Sequence, residues 1–355
     1  MKTGRTLSNL VDELERQMST KVDMVVPTQL LHHSTSSEGH STLQVETGDG
    51  LRQFGITENC RRQLAERLKI PFAYFERMRS EMPELLDRNV NSWLRHAPEQ
   101  RMVRTLDGRA RAFLSDRYRM RDNYDLLVHI LPELRKIPDV QFASMELTET
   151  RMFIKALSPK VRYELAPGDV VEAGVVVANS ETGHGMTAVY PLVHRLKCRN
   201  GLIAADASIK RAHVGRRIEA SFDEVTIFKA DTLKADDDAF FLMLRDLVSA
   251  AVSESTFVLL AEKMRKTMGI PLLGDPLRAV EKLAVKFVMN ENVRVGVLRD
   301  LIAEGDLSAF GMVQAVTHFA QDPSISYEEA TELEMIGGRM LEQSNKEWSE
   351  LVSAV

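Results

Sequence analysis

The hydrophobic period changes once along this chain, and that change limits the fold more than any other feature. Between about Met102 and Phe228, apolar residues fall in short runs rich in β-branched and aromatic side chains. These are Arg151–Leu157, Val170–Ala178, Met186–Cys198 and Asp223–Phe228, and each predicts a strand. Asn200-Gly201 predicts a tight turn at positive φ after the third of them. From Ala239 onward the repeat is helical. Ala239–Met268 predicts one long helix ended by Gly269 and Pro271, with Asp236-Asp237-Asp238 at its start, where acids favour the helix dipole. Asp275-Pro276 and Ser308 open further helices, and Ser326 with Glu329 predicts a capping box on the last one.

Ahead of the strands, Leu7, Leu10, Val11, Leu14 and Met18 mark a helix, and Thr42–Glu46 a short strand. Thr57 is a plausible cap for a helix through Lys69, Pro71 restarts one through Met78, and Asn123–Arg135 predicts another. Helices, then strands, then helices predict an α+β fold: a central antiparallel-rich sheet with flanking helices and an all-helical C-terminal part. The expected division is an α+β lead-in over 1–100, a basic β-rich core over 101–230, and a helical region over 231–355.

With 44% hydrophobic and 27% charged residues, the chain can bury a core. Its apolar runs, such as Ala173–Ala178, are far shorter than the roughly 20 residues a bilayer span needs. Met1–Gln17 mixes acids with bases and has no apolar centre, so no secretory signal is expected. Cys60 and Cys198 stand alone, without a C-x-x-C pair. A soluble, cytoplasmic protein with no membrane association is therefore expected.

Net charge is −5, but the bases are clustered. Arg101–Arg121 holds seven arginines against two aspartates, and Tyr190–Arg217 seven lysines or arginines against Asp206 alone. From Pro323 onward the sign reverses, with seven glutamates against Arg339 and Lys346. Local fields matter at a Debye length of roughly 10 Å, so a mildly acidic chain can still hold a polyanion locally. Solvated faces paired with acids elsewhere would give the same counts.

Motifs for other chemistries are sparse. Neither G-x-G-x-x-G nor a P-loop occurs, and Gly183-His184-Gly185 lies between strands, where a hairpin is commoner than an anion nest. The adjacent His32-His33 pair, His194 and His213 match no metal-ligand spacing. Cys198 has cationic neighbours in Lys197 and Arg199 but no defined base, and Glu181 with His184 is a weak second catalytic candidate. No catalytic residue, metal or cofactor is assigned. Gln63–Arg79 resembles a helix-turn-helix, yet Phe72, Tyr74, Phe75 and Met78 on its second helix favour packing over base reading.

The basic segments are the stronger lead. In Arg111–Arg119, guanidinium groups alternate with Phe113 and Tyr118, the combination that single-stranded nucleic acid needs for phosphates and base stacking. The candidate contacts are Arg111, Arg117, Tyr118, Arg119, Arg195, Lys197, Arg199, Lys210, Arg211 and Arg216, set along one groove.

Several stretches carry a family resemblance. They are RAFLSDRYRMRDN (Arg111–Asn123), VVVANSETGHGMTAVYPLVHRLKCRNG (Val175–Gly201) and FGMVQAVTHFAQD (Phe310–Asp322), with VPTQLL, FGITENCRRQLAERLKIP and VNSWL upstream. In that order they resemble the phage- and plasmid-borne family that shares the domain of unknown function numbered 932. The resemblance spans nearly the whole chain and implies a setting in mobile genetic elements, with no catalytic residues to carry over. The function expected is non-enzymatic binding or annealing of single-stranded DNA by a homo-oligomer. The alternatives are a protein-interaction module that blocks a host defence factor through the acidic C-terminal helices, and a cysteine- or histidine-dependent enzyme.

Overall fold

The computed structural model describes residues 1–48, 50–204 and 230–353. The expected strand Asp223–Phe228, together with Lys210, Arg211, His213 and Arg216, lies outside the described residues. The fold is α+β with a helical C-terminal part.

Among the described residues, two sheets carry it. The first is built from β1 (Val22–Pro27), β2 (Leu31–Thr35), β3 (Ser41–Thr47), β4 (Gly50–Ile56), β5 (Gln100–Leu106) and β6 (Arg109–Ser115), in the order β1-β5-β6-β4-β3-β2. Its pairings are antiparallel except β4 with β6, where Ile56 lies opposite Ala110. Parallel neighbours need a long crossover. Here it runs through α2 (Glu58–Arg67), α3 (Phe72–Glu81) and α4 (Pro83–His96), then β5. These helices cover one face, where Leu64, Phe75, Leu86, Val90 and Leu94 pack on Leu43, Val45, Val103 and Phe113. Phe75 is fully buried, and Arg77 and Arg79 pair with Glu81 and Glu76, so α3 is a packing helix.

The second sheet is antiparallel throughout: β7 (Gln141–Leu147), β8 (Met152–Ala166), β9 (Asp169–Asn179), β10 (Ala188–Arg195) and β11 (Gly201–Ile203), in the order β11-β10-β9-β8-β7. Side chains alternate between its faces. Ile154, Ala156, Val175 and Val177 meet α1 (Leu7–Met18), α5 (Asn123–Leu134) and α6 (Ala230–Ala251) through Leu10, Leu14, Ile130, Phe240 and Leu244. Leu157, Val176, Leu192 and Ile203 face the other way, with Met335 of α11 (Tyr327–Leu341) packed against them. Both faces of β9 are covered, which explains why its sequence is a continuous apolar run rather than an alternation.

The remaining helices are α7 (Glu254–Met268), α8 (Pro276–Phe287), α9 (Glu291–Glu304), α10 (Ala309–Phe319) and α12 (Asn345–Val352). They bury a further core around Phe257, Leu283, Val297, Phe310, Val316 and Trp348. Among the described residues, no helix is long and apolar enough to cross a membrane.

Several local expectations are corrected. The long helix is two, because the Ser253 side chain caps α7 by accepting the Thr256 amide. Ser326 caps α11, but the reciprocal capping box is Ser344 with Glu347 on α12. The acidic run Asp236–Asp238 lies well inside α6, and its first two members pair with Arg119. After β10 the positive φ falls on Arg199, at 53°, and Gly201 already belongs to β11.

Candidate functional site

The two sheets meet around one buried carboxylate. Glu181, in the loop after β9, lies 2.7 Å from Lys21 Nζ, just ahead of β1, and 2.6 Å from an Arg111 nitrogen on β6. The Asn123 amide, first in α5, donates to the same carboxylate at 2.6 Å. Arg104 on β5 is fully buried, bonds Asp23 at 2.6 Å and Asp122 at 2.5 Å, and donates to the Glu181 carbonyl at 2.9 Å. Burial opposes ionisation of Asp122, yet Arg104 beside it holds its carboxyl below the usual range. Arg104 thus ties Asp23 of its own sheet to Asp122 at the start of α5, while Glu181 joins the Lys21 and Arg111 side of the first sheet to the loop after β9.

A cavity of ≈ 240 Å³ opens beside this network. Thr57, Arg109, Arg111, Thr150, Arg151, Glu181 and Thr182 are among its lining residues, which come from both sheets. Thr57 is the N-cap of α2 and is fixed to β6: its amide donates to the Ala110 carbonyl at 3.0 Å. Asn59, one turn-step on, donates to the Arg111 carbonyl at 3.0 Å. These bonds hold the start of a helix next to a buried arginine. The amides of Glu58 and Asn59, first in α2, have no acceptor within the helix.

Arg111 is the unusual member. Its side chain is 8% exposed, and its Nε and second Nη have no hydrogen-bond partner. Arg109 is exposed and makes no ion pair among the described residues. Arg151 donates two bonds to the His184 carbonyl and lies 3.4 Å from Glu328. Of the acids in the wall, Asp107 is held by Arg16 at 2.9 Å, Glu181 by the cations above, and Glu149 is exposed. The threonine hydroxyls donate inward, Thr150 to Glu328 and Thr182 to the Thr150 carbonyl. Glu181 Oε2 is ion-paired with Arg111 but makes no hydrogen bond, and the donors left without an acceptor are the buried Nε and second Nη of Arg111, next to Arg109 and the start of α2 at Thr57. Such a set suits an anion.

Among the described residues, those expected to line one groove are placed differently from one another, and Lys210, Arg211 and Arg216 lie outside the described residues. Tyr118 packs on Met102, Ala112 and Leu114, and its hydroxyl donates to the Ser180 carbonyl at 3.0 Å, so its ring is no stacking platform. Arg119 pairs with Asp236 and Asp237. Arg195 is buried, bonds both Asp169 oxygens at 2.6 and 2.7 Å, and reaches Gln314 at 3.1 Å. Arg117, Lys197 and Arg199 are exposed. The two segments also lie at opposite ends of the second sheet. Tyr118 reaches Ser180, beyond the Ala178–Ala188 end, whereas Arg195 pairs with Val171 seven residues away. At about 3.3 Å per residue that is roughly 23 Å. Arginines alternating with apolar residues look alike in sequence whether they face solvent or an ion pair.

The catalytic candidates do not assemble either. Burial pushes the Cys198 thiol up despite Arg195 nearby, and Cys60 is pushed up to about 12. His184 is exposed, and Glu181 is enclosed by its cations. His33 is buried and bonds Asp87 at 2.8 Å, while its neighbour His32 is exposed.

Sequence reasoning missed Lys21, Asp23, Arg104 and Asp122, each ordinary in its local context. The one available signal was Arg104 directly after the apolar pair Met102-Val103.

No protein-family model, curated protein or solved structure matches this chain.

Proposed function

We propose that this chain binds single-stranded nucleic acid across the mouth of the inter-sheet cleft, without chemistry of its own. The observation that carries the reading is the surplus of donors on one strand. β6 begins at exposed Arg109 and holds Arg111 with two unpartnered nitrogens, and exposed Arg117 follows its end. From Arg109 to Ser115 β6 spans roughly 20 Å of extended strand, and a turn closed by the Tyr118 amide on the Ser115 carbonyl then carries Arg117. That length accommodates several phosphates. The resemblance to phage- and plasmid-borne proteins supports a mobile-element setting. Two free cysteines support a reducing, cytoplasmic one. Self-association is part of the reading, with exposed Leu273, Val285 and Val288 available to a second copy.

Fluorescence anisotropy with a 5′-hydroxyl oligodeoxynucleotide, between about 50 and 200 mM salt, tests the reading. Each phosphate contact to a single strand contributes a log–log salt slope of about −0.7. Arg117→Gln should weaken binding and flatten the slope by about one such contact, with melting temperature unchanged. Binding absent at low salt, or unaffected by Arg109→Gln and Arg117→Gln together, rejects the reading.

A further inference from the structure

We propose that the inter-sheet cavity is a receptor for a phosphomonoester, the terminal phosphate of a strand end or of a free nucleotide. Where the phosphate belongs to a strand, this rests on the nucleic-acid reading above.

Three independent features converge there. Arg111 lines the cavity with a side chain more than nine-tenths buried, and two of its guanidinium nitrogens have no acceptor. A buried donor without a partner is costly, and an arriving anion supplies what is missing. The ten-residue helix α2 begins at Thr57 in the cavity wall, so its first amides and its dipole favour negative charge at that point. Arg109 adds a cation at the rim that no described acid neutralises.

Charge and size select the ligand class. A phosphodiester carries one negative charge, whereas a monoester carries close to two at neutral pH. Exposed Arg109, buried Arg111 with two unpartnered nitrogens, and a helix start match the second better. The volume of ≈ 240 Å³, closed behind by the Lys21–Glu181–Arg111 network, admits one phosphate and the sugar attached to it. The chemistry therefore points to a terminal group.

Titration calorimetry with inorganic phosphate, a nucleoside 5′-monophosphate and the unphosphorylated nucleoside measures the site directly. Anisotropy with matched 5′-phosphate and 5′-hydroxyl oligonucleotides measures it on a strand. The expected results are binding of phosphate and monophosphate, none of the nucleoside, and about tenfold tighter binding of the phosphorylated oligonucleotide. Arg109→Gln, on the exposed rim, should reduce that preference several-fold without unfolding the protein. Arg111→Lys keeps the charge towards Glu181 but loses the second and third donors, and should abolish the preference.

Equal affinity for the two oligonucleotides, with no binding of phosphate or monophosphate, overturns the inference and leaves the nucleic-acid reading standing. Monophosphate binding with neither oligonucleotide bound supports the receptor, assigns it to free nucleotide and rejects the nucleic-acid reading. Failure of every phosphate-bearing ligand to bind overturns the receptor outright.

Discussion

Lys21 and Glu181 lie 2.7 Å apart, although 160 residues separate them and they flank strands of different sheets. Lys21 is the last residue before β1, and Glu181 follows β9. Their contact, with Arg111 on the other oxygen, fixes how the first sheet docks against the second and therefore shapes the cavity between them.

Glu181→Ala removes the carboxylate and leaves two cations with side chains at most 9% exposed. Breaking a buried pair from one side costs about 3–5 kcal/mol, far more than the pair is worth against apolar residues of equal size. Urea unfolding should show a loss in that range. A loss below about 1 kcal/mol would mean that the docking of the sheets does not depend on this carboxylate.

Lys155 on β8 and Glu334 on α11 form a second pair, 2.5 Å apart and almost wholly buried, with Lys155 Nζ 4.9 Å from the Tyr327 ring centre. Glu334→Leu alone should destabilise by about 3–5 kcal/mol, because Lys155 is left charged in the core. Lys155→Met added to it should recover most of the loss. Equal stability of the single and double variants would show that the cost is steric rather than electrostatic.

Gly296 on α9 faces Phe319 at the end of α10. A β-carbon at Gly296 would lie 2.0 Å from a Phe319 ring atom, so the two helices approach as closely as they do only because the side chain is absent. Gly296→Ala should cost about 1–3 kcal/mol by overpacking, and Phe319→Leu in the same chain should return part of it. Thermal unfolding of the two variants checks this. An unchanged melting temperature for Gly296→Ala would contradict the close approach.

His194 on β10 sits among Glu172 of β9, the Met1 ammonium and the Arg199 carbonyl, and burial lowers its pKa below 6.5. Near pH 6.5 the folded protein then holds fewer protons on this ring than the unfolded chain does. Stability should therefore fall as pH drops through about 6.5, and His194→Gln should flatten that part of the profile. The Met1 ammonium, lowered to about 6 by its own burial, adds a slope of the same sign between pH 8 and 6. A His194→Gln profile with undiminished slope below pH 6.5 would remove His194 from the account.

Local features were legible in the sequence wherever short-range chemistry decides them. Thr57, Asp275, Ser308 and Ser326 cap helices as their residue types demand, since a cap needs only a side-chain oxygen and an amide two or three residues on. The strands in Arg151–Leu157 and Val170–Ala178 followed from short runs rich in β-branched and aromatic residues, and the change to helices from hydrophobic period. The α+β class followed from the order of those elements.

Tertiary structure alone decided which sheet each strand joined and what each arginine does. Residues 101–115 lie within the stretch expected to form a single β-rich core, yet β5 and β6 pair with β1 and β4 in the first sheet. Strand pairing depends on which edges meet after the helices have packed, and no local pattern encodes that. The arginines make the same point. Arg104, Arg111 and Arg195 have the same local look as exposed Arg117, but each is drawn inside by a carboxylate remote in the chain: Asp23, Glu181 and Asp169. A charge is buried only when its partner arrives with it, and the partner's position is a property of the fold.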